Sequence, residues 1–193
     1  MNYYLDIKIK PDAEMRENVL LNKVYTKLHK AIFDLNANDI GVSFPSVKVK
    51  LGDVVRIHST QNKLNELQNL NWLGGLSGYC KVSDILPVPD KVDGFQTISR
   101  IRQNMSLARM RKKITHQQNK GYIKTDDDIK TYEKYYKEKM FKTGLDNPYL
   151  ELQSTSTGSK YRLYIQFGDV QQQAVAGEFN RFGLSETATI PIF

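Results

Sequence analysis

Between residues 3 and 10, Leu5, Ile7 and Ile9 alternate with Asp6, Lys8 and Lys10. That period of two predicts a strand with one buried face. From Pro11-Asp12 onward the period lengthens. Leu21, Val24, Leu28, Ala31, Ile32 and Leu35 recur at three- and four-residue spacings, predicting a long helix that Asn36-Ala37-Asn38-Asp39 stops. Residues 40–44, closed by Pro45, and 54–58 read as two further strands. Residues 62–70 read as a short helix, with Leu64, Leu67 and Leu70 three apart, and 79–86 supply a fourth strand. The order β-α-β-β-α-β is that of a ferredoxin-like domain, and it predicts one spanning residues 1–93.

The second half, residues 94–193, changes character and reads as a second domain. A strand-like run at 95–102 leads to a helix starting near Ser106, with Leu107, Met110 and Ile114 on one apolar stripe. Arg109, Lys112, Lys113 and His116 fall on the other side, flanked by Arg111. A second helix follows Thr125-Asp126-Asp127-Asp128. Three adjacent Asp residues on a helix point in different directions, so a Thr cap with an acidic first turn explains them better than a metal site. Two strands, 149–152 and 161–165, then flank Ser154-Thr155-Ser156-Thr157-Gly158-Ser159, a hairpin turning near Gly158. The fold class is therefore α+β.

Charge sharpens this division. Of 28 Lys and Arg, eight lie between Ser99 and Lys124, where there is no Asp or Glu. The rest of the chain holds 20 basic and 21 acidic residues and is nearly neutral. Concentrated charge of this kind predicts a polyanionic partner. A membrane surface fits less well, because the apolar stripe is narrow and has no bulky aromatic anchors. The single Cys80 excludes an internal disulfide or thiolate cluster. With no leader-like N-terminus and no long apolar run, a cytoplasmic, cofactor-free and metal-free protein is expected.

Three histidines can titrate near neutral pH: His29, His58 and His116. His58 sits in a strand and reads as a packed or edge residue. His116 belongs with the basic helix and phosphate contacts. His29 flanks the buried stripe of the first helix, one turn from Tyr25 and Phe33. No Gly-x-Ser-x-Gly elbow is present, which argues against a serine hydrolase. RNA carries its own nucleophile, the 2′-OH. One base, one aligning hydroxyl and a set of cations would suffice to cleave it.

Several stretches, in order along almost the whole chain, resemble one family. They are Lys27-Leu28-His29-Lys30-Ala31, Ile40-Gly41-Val42-Ser43-Phe44-Pro45, Ser99-Arg100-Ile101-Arg102 and Arg109-Met110-Arg111-Lys112-Lys113-Ile114, followed by Ser154-Thr155-Ser156-Thr157-Gly158, Tyr161-Arg162-Leu163 and Phe182-Gly183-Leu184-Ser185. The chain resembles the CRISPR repeat-processing endoribonucleases of the subtype I-F systems. The resemblance implies a ferredoxin-like domain joined to a smaller one with an arginine-rich helix. It implies metal-free cleavage of the repeat stem-loop at its 3′ base, leaving a 2′,3′-cyclic phosphate. The enzyme, a monomer when free, would stay bound to the product beside the other subunits of the interference complex.

By the same resemblance His29 is the general base, Ser154 holds the 2′-OH, and Ser156 is a nearby polar contact. Tyr161 packs at the base of the stem. Arg100 falls where the family reads a guanine, and Arg102 where its pattern has Gln. Arg109, Arg111, Lys112 and Lys113 lie along the major groove. Phe182 departs from a family Tyr and lacks its hydroxyl. The competing expectation is a stem-loop-binding subunit without turnover; retention of both His29 and Ser154 speaks against it.

Overall fold

A computed structural model describes residues 1–142, 146–154 and 158–193. It is α+β, with antiparallel sheets. The first five strands are β1 (Tyr3–Ile9), β2 (Gly41–Ser43), β3 (Val54–Ser59), β4 (Cys80–Val82) and β5 (Leu86–Pro87). They form one sheet in the order β2-β3-β1-β4, with β5 also pairing β1. Helices α1 (Glu17–Asp34) and α2 (Gln61–Asn69) pack on it, and a 3₁₀ helix covers Gly74–Tyr79. The alternation read in β1 holds: Leu5, Ile7 and Ile9 are buried and opposite Ile57, Val55 and Cys80 in register.

Local chemistry moved some boundaries. The long helix begins at Glu17 rather than at Pro11, because Asp12 Oδ1 accepts the N–H groups of Glu14 and Met15 and folds that stretch into a turn. The fourth strand is split. β4 pairs Val82 with Ile7, whereas β5 pairs Leu86 with Tyr4, one residue out of register. Leu70 lies past the end of α2 and is exposed.

The chain divides into two compact units, but not at residue 93. One comprises Met1–Arg100 with Pro148–Phe193, the other Ile101–Asn147. The cause is the second face of the sheet. His58 and Arg56 point away from Val55 and Ile57, and their face needs a cover. The C-terminal residues provide it: the Phe193 ring lies 4.2 Å from the Arg56 guanidinium and meets His58 edge-on. Arg56 in turn holds Asp6 through two bonds, of 2.8 and 2.9 Å. Strand β6 (Gly94–Gln96) pairs β10 (Ile190–Ile192), and β7 (Ile98–Ile101) joins the hairpin of β8 (Tyr149–Gln153) and β9 (Lys160–Phe167). The expected run at 95–102 is therefore two strands in two sheets. Gly41 is needed where β10 crosses β2, since a Cβ there would stand 2.8 Å from Ile190 Cγ2.

The second unit is a helical pair, α3 (Leu107–Asn119) and α4 (Asp126–Met140), around Met110, Ile114, Tyr136 and Met140. Leu107, expected on the apolar stripe, is exposed in the first turn, while Ser106 caps the helix by accepting Arg109 N–H. At the start of α4, Thr125 and Asp128 form a reciprocal capping box. The Asp128 carboxylate accepts the N–H groups of Lys124 and Thr125, which hold its pKa below the usual carboxylate value. Helix-start chemistry thus accounts for the acidic triplet.

His58 makes stability depend on pH. It is fully buried, and its Nε2 lies 2.8 Å from Ser43 Oγ. Burial, reinforced by the Arg56 charge, lowers its pKa from 6.5 to about 3. Between those values the unfolded chain binds a proton that the folded chain refuses, so stability falls as pH drops through that window. The melting temperature of the native protein should decline from pH 6.5 downward more steeply than that of a His58→Asn variant. Equal slopes in paired thermal melts would contradict this.

Candidate active site and nucleic-acid interface

Three successive turns of α1 present Tyr25, His29 and Phe33 along one stripe, as i, i+4 spacing requires. Each meets the segment that runs past the edge of β2. The Tyr25 hydroxyl donates to the Phe182 carbonyl at 2.6 Å, and burial pushes its pKa far up, keeping it a neutral donor. His29 Nδ1 lies 2.7 Å from the Arg181 carbonyl oxygen. The Arg181 guanidinium sits 4.3 Å from the Phe33 ring centre.

The same segment is fixed from the sheet side. Val42 N–H, on the outer edge of β2, donates to the Gly183 carbonyl at 2.9 Å, and Phe179 N–H donates to Asn38 O. Gly183 has φ +69°, and a Cβ on it would stand 2.4 Å from Val42 Cγ2. Only glycine serves both conditions. Asn180 closes the turn by accepting Phe182 N–H through its side chain.

This geometry orients His29. A carbonyl oxygen only accepts, so Nδ1 must carry the proton, and the neutral ring keeps its lone pair on Nε2. The Phe182 ring stacks on the imidazole at 4.0 Å between centres and 8° between planes. Ring packing on one side and a hydrogen bond at one nitrogen leave the half-buried ring little rotational freedom. Arg100 continues the array: its guanidinium lies 5.9 Å from both the Phe182 and Tyr161 ring centres, near the outer limit of cation–π contact. Arg100 Nε is buried with no hydrogen-bond partner among the described residues.

His29, Phe182, Arg100 and Tyr161 are thus joined by consecutive contacts. Tyr161 stands opposite Leu152 in the β8–β9 hairpin. The buried alternation of Leu150 and Leu152 puts Ser154 next on that same strand face, where its N–H donates to Ser159 O at 2.9 Å. Ser156, expected beside it, lies outside the described residues. Sequence reasoning missed the Arg181 carbonyl, because a backbone acceptor leaves no mark in residue type. It took Tyr25 only as a neighbour of His29.

On α3, Arg109, Arg111, Lys112, Lys113 and His116 are all exposed. Among the described residues none of them pairs with a carboxylate. Lys113 Nζ lies 5.7 Å from the Tyr136 ring, and Arg109 donates to the Asn104 carbonyl, which partly orders both. Arg102 is exposed at the start of this unit. Among the described residues no group of three His, Cys, Asp or Glu could hold a metal ion, and no helix is long and apolar enough to cross a membrane.

Known proteins resemble the chain over its full length. It is 33% identical over 193 residues, covering both chains completely, to the CRISPR-associated endonuclease Cas6/Csy4 of Escherichia coli (strain UTI89 / UPEC). It is 30% identical over 196 residues, again with both chains covered completely, to the protein of the same name from Pseudomonas aeruginosa (strain UCBPP-PA14). A solved structure of the CRISPR endoribonuclease Cse3 bound to 19 nt RNA aligns with 99% of the chain at 11% identity and a TM-score of 0.37. The family model described as CRISPR-associated protein (Cas_Csy4) matches residues 4–193, and the chain belongs to that family.

Proposed function

We propose that the protein is a metal-independent endoribonuclease that binds the repeat stem-loop of precursor CRISPR RNA. It cleaves at the 3′ base of the stem and stays on the product within an interference complex. The observation that carries this reading is the His29 Nδ1–Arg181 carbonyl bond, which leaves Nε2 as a base. The 2′-OH loses its proton to Nε2 and attacks the adjacent phosphorus. The P–O5′ bond breaks, giving a 2′,3′-cyclic phosphate and a 5′-hydroxyl once the leaving oxygen is protonated. Ser154 aligns the 2′-OH.

The level of the two elements supports that pairing. Asn22 Oδ1 accepts Glu151 N–H at 3.0 Å, tying α1 to β8. From Asn22 to His29 a helix advances about 10.5 Å, and from Glu151 to Ser154 a strand advances about 10 Å, equal steps from that shared bond. Phe182 holds the imidazole by stacking and needs no hydroxyl to do so. The β2-β3-β1-β4 order with both helices supports a ferredoxin-like core.

Arg100 and Arg102 are suited to hydrogen-bond base edges near the cut through their guanidinium ends, Arg to guanine above all. Tyr161 packs at the end of the stem. By the family resemblance Ser156 is a further polar contact, and the exposed cations of α3 attract the RNA phosphates.

With repeat RNA in EDTA, the native protein should cut once and His29→Ala should lose about 10²–10⁴ in rate. RNA bound tightly but left whole by the native protein would refute the reading. A deoxyribose at the cut should stop cleavage and leave affinity nearly unchanged. Phe182→Ala should lower the single-turnover cleavage rate about tenfold by freeing the imidazole, with Phe182→Tyr close to the native enzyme. An unchanged single-turnover rate in the alanine variant would remove the ring from the account.

A further inference from the structure

Between α1 and the β8–β9 hairpin runs a groove of about 510 Å³, lined by Lys23, Lys27, Lys160, Glu151, Leu152 and Leu76 among others. Its walls are the elements that carry His29 and Ser154, so it opens beside the candidate site. Among the described residues its three lysines pair with no carboxylate. The Glu151 carboxylate is occupied by Arg162 Nε at 3.2 Å, and Lys23 Nζ rests on Met15 Sδ at 3.4 Å. The lining thus presents three uncompensated cations and an apolar floor, a surface for a polyanion with no aromatic stacking platform.

We propose that this groove binds the single-stranded RNA immediately 3′ of the cleaved bond. The proposal rests on the endoribonuclease reading above. The volume is that of a small-ligand cleft, room for about one or two nucleotides and not for a duplex. Of the two strands at the base of a stem, only the 3′ one continues covalently from the reacting phosphate. It leaves the site already confined by the His29 and Ser154 elements and enters the adjoining groove. The lysines hold its phosphates. The other polar side chains of the lining are engaged within the protein, Asn22 Oδ1 by Glu151 N–H, Gln153 Nε2 by the Gly158 carbonyl and Thr26 Oγ1 by the Asn22 carbonyl, so the contact tolerates any sequence. The groove therefore favours uncut precursor over product.

Binding of catalytically blocked RNA, with a deoxyribose at the cut, tests this directly. The RNAs carry a single nucleotide beyond the cut, a longer 3′ extension, or a 5′ extension instead. The native protein should bind the 3′-extended RNA about tenfold tighter than the trimmed one. A K23A/K27A/K160A variant should lose that preference while binding trimmed RNA as the native protein does, and lysine-to-arginine replacements should keep it. The slope of log affinity against log salt for extended RNA should shrink by about 1.4 in the alanine variant, as about two single-strand phosphate contacts are lost. Equal affinity of the native protein for extended and trimmed RNA would overturn the proposal. So would a variant that loses its preference for the 5′ extension alone. Failure of the native protein to cut unblocked RNA would instead overturn the endoribonuclease reading, leaving the binding comparison to judge the groove.

Discussion

At Gly183 two stretches of backbone approach too closely for any side chain, and most of the candidate site follows from that approach. The Gly183 carbonyl satisfies the outer edge of β2 through Val42 N–H. Its positive φ turns the chain back so that the preceding carbonyls, of Arg181 and Phe182, face α1. One of them receives a phenol and the other an imidazole. A larger residue here would push the segment off β2 and move both acceptors together. The histidine tautomer, a matter of one proton, is thereby set by the close packing of a sheet edge.

The two units divide the physical work. Exposed cations lie on α3, where such charge acts over roughly 8–10 Å at physiological salt. His29, its stacking ring and the serine strand lie in the other unit, where contacts of 2.6 to 4.0 Å decide what happens. Long-range attraction tolerates imprecision, and lysine serves as well as arginine for it. Proton transfer, the role proposed for His29, does not, and that ring is held on two sides. On the proposed reading the nucleophile arrives in the RNA, and the protein has only to withdraw its proton and align it.

Much of this was legible in the chain. The alternation in β1, the long apolar stripe of α1 and the separate charge of α3 survive intact, because each is a local pattern with a single period. The failures share another cause. Asp12 closed a turn where spacing read a helix, and residues 179–193 returned to cover a face that their own sequence does not advertise. His58, read as a packed or edge strand residue, is indeed buried, beside Ser43. Leu107 stayed exposed because its position falls in the first turn of α3. The His29–Phe182 stack joins residues 153 positions apart, a contact no spacing rule reaches, and the Arg181 carbonyl is invisible to any reading of side chains.

The central claim is that the Arg181 carbonyl fixes His29 with its proton on Nδ1 and its lone pair on Nε2. The ¹⁵N chemical shifts of the His29 ring, recorded at alkaline pH and assigned against His29→Ala, report that directly. A protonated Nδ1 and a bare, imine-like Nε2 are the result expected. A proton on Nε2, or the averaged shifts of a freely exchanging imidazole, would contradict the account.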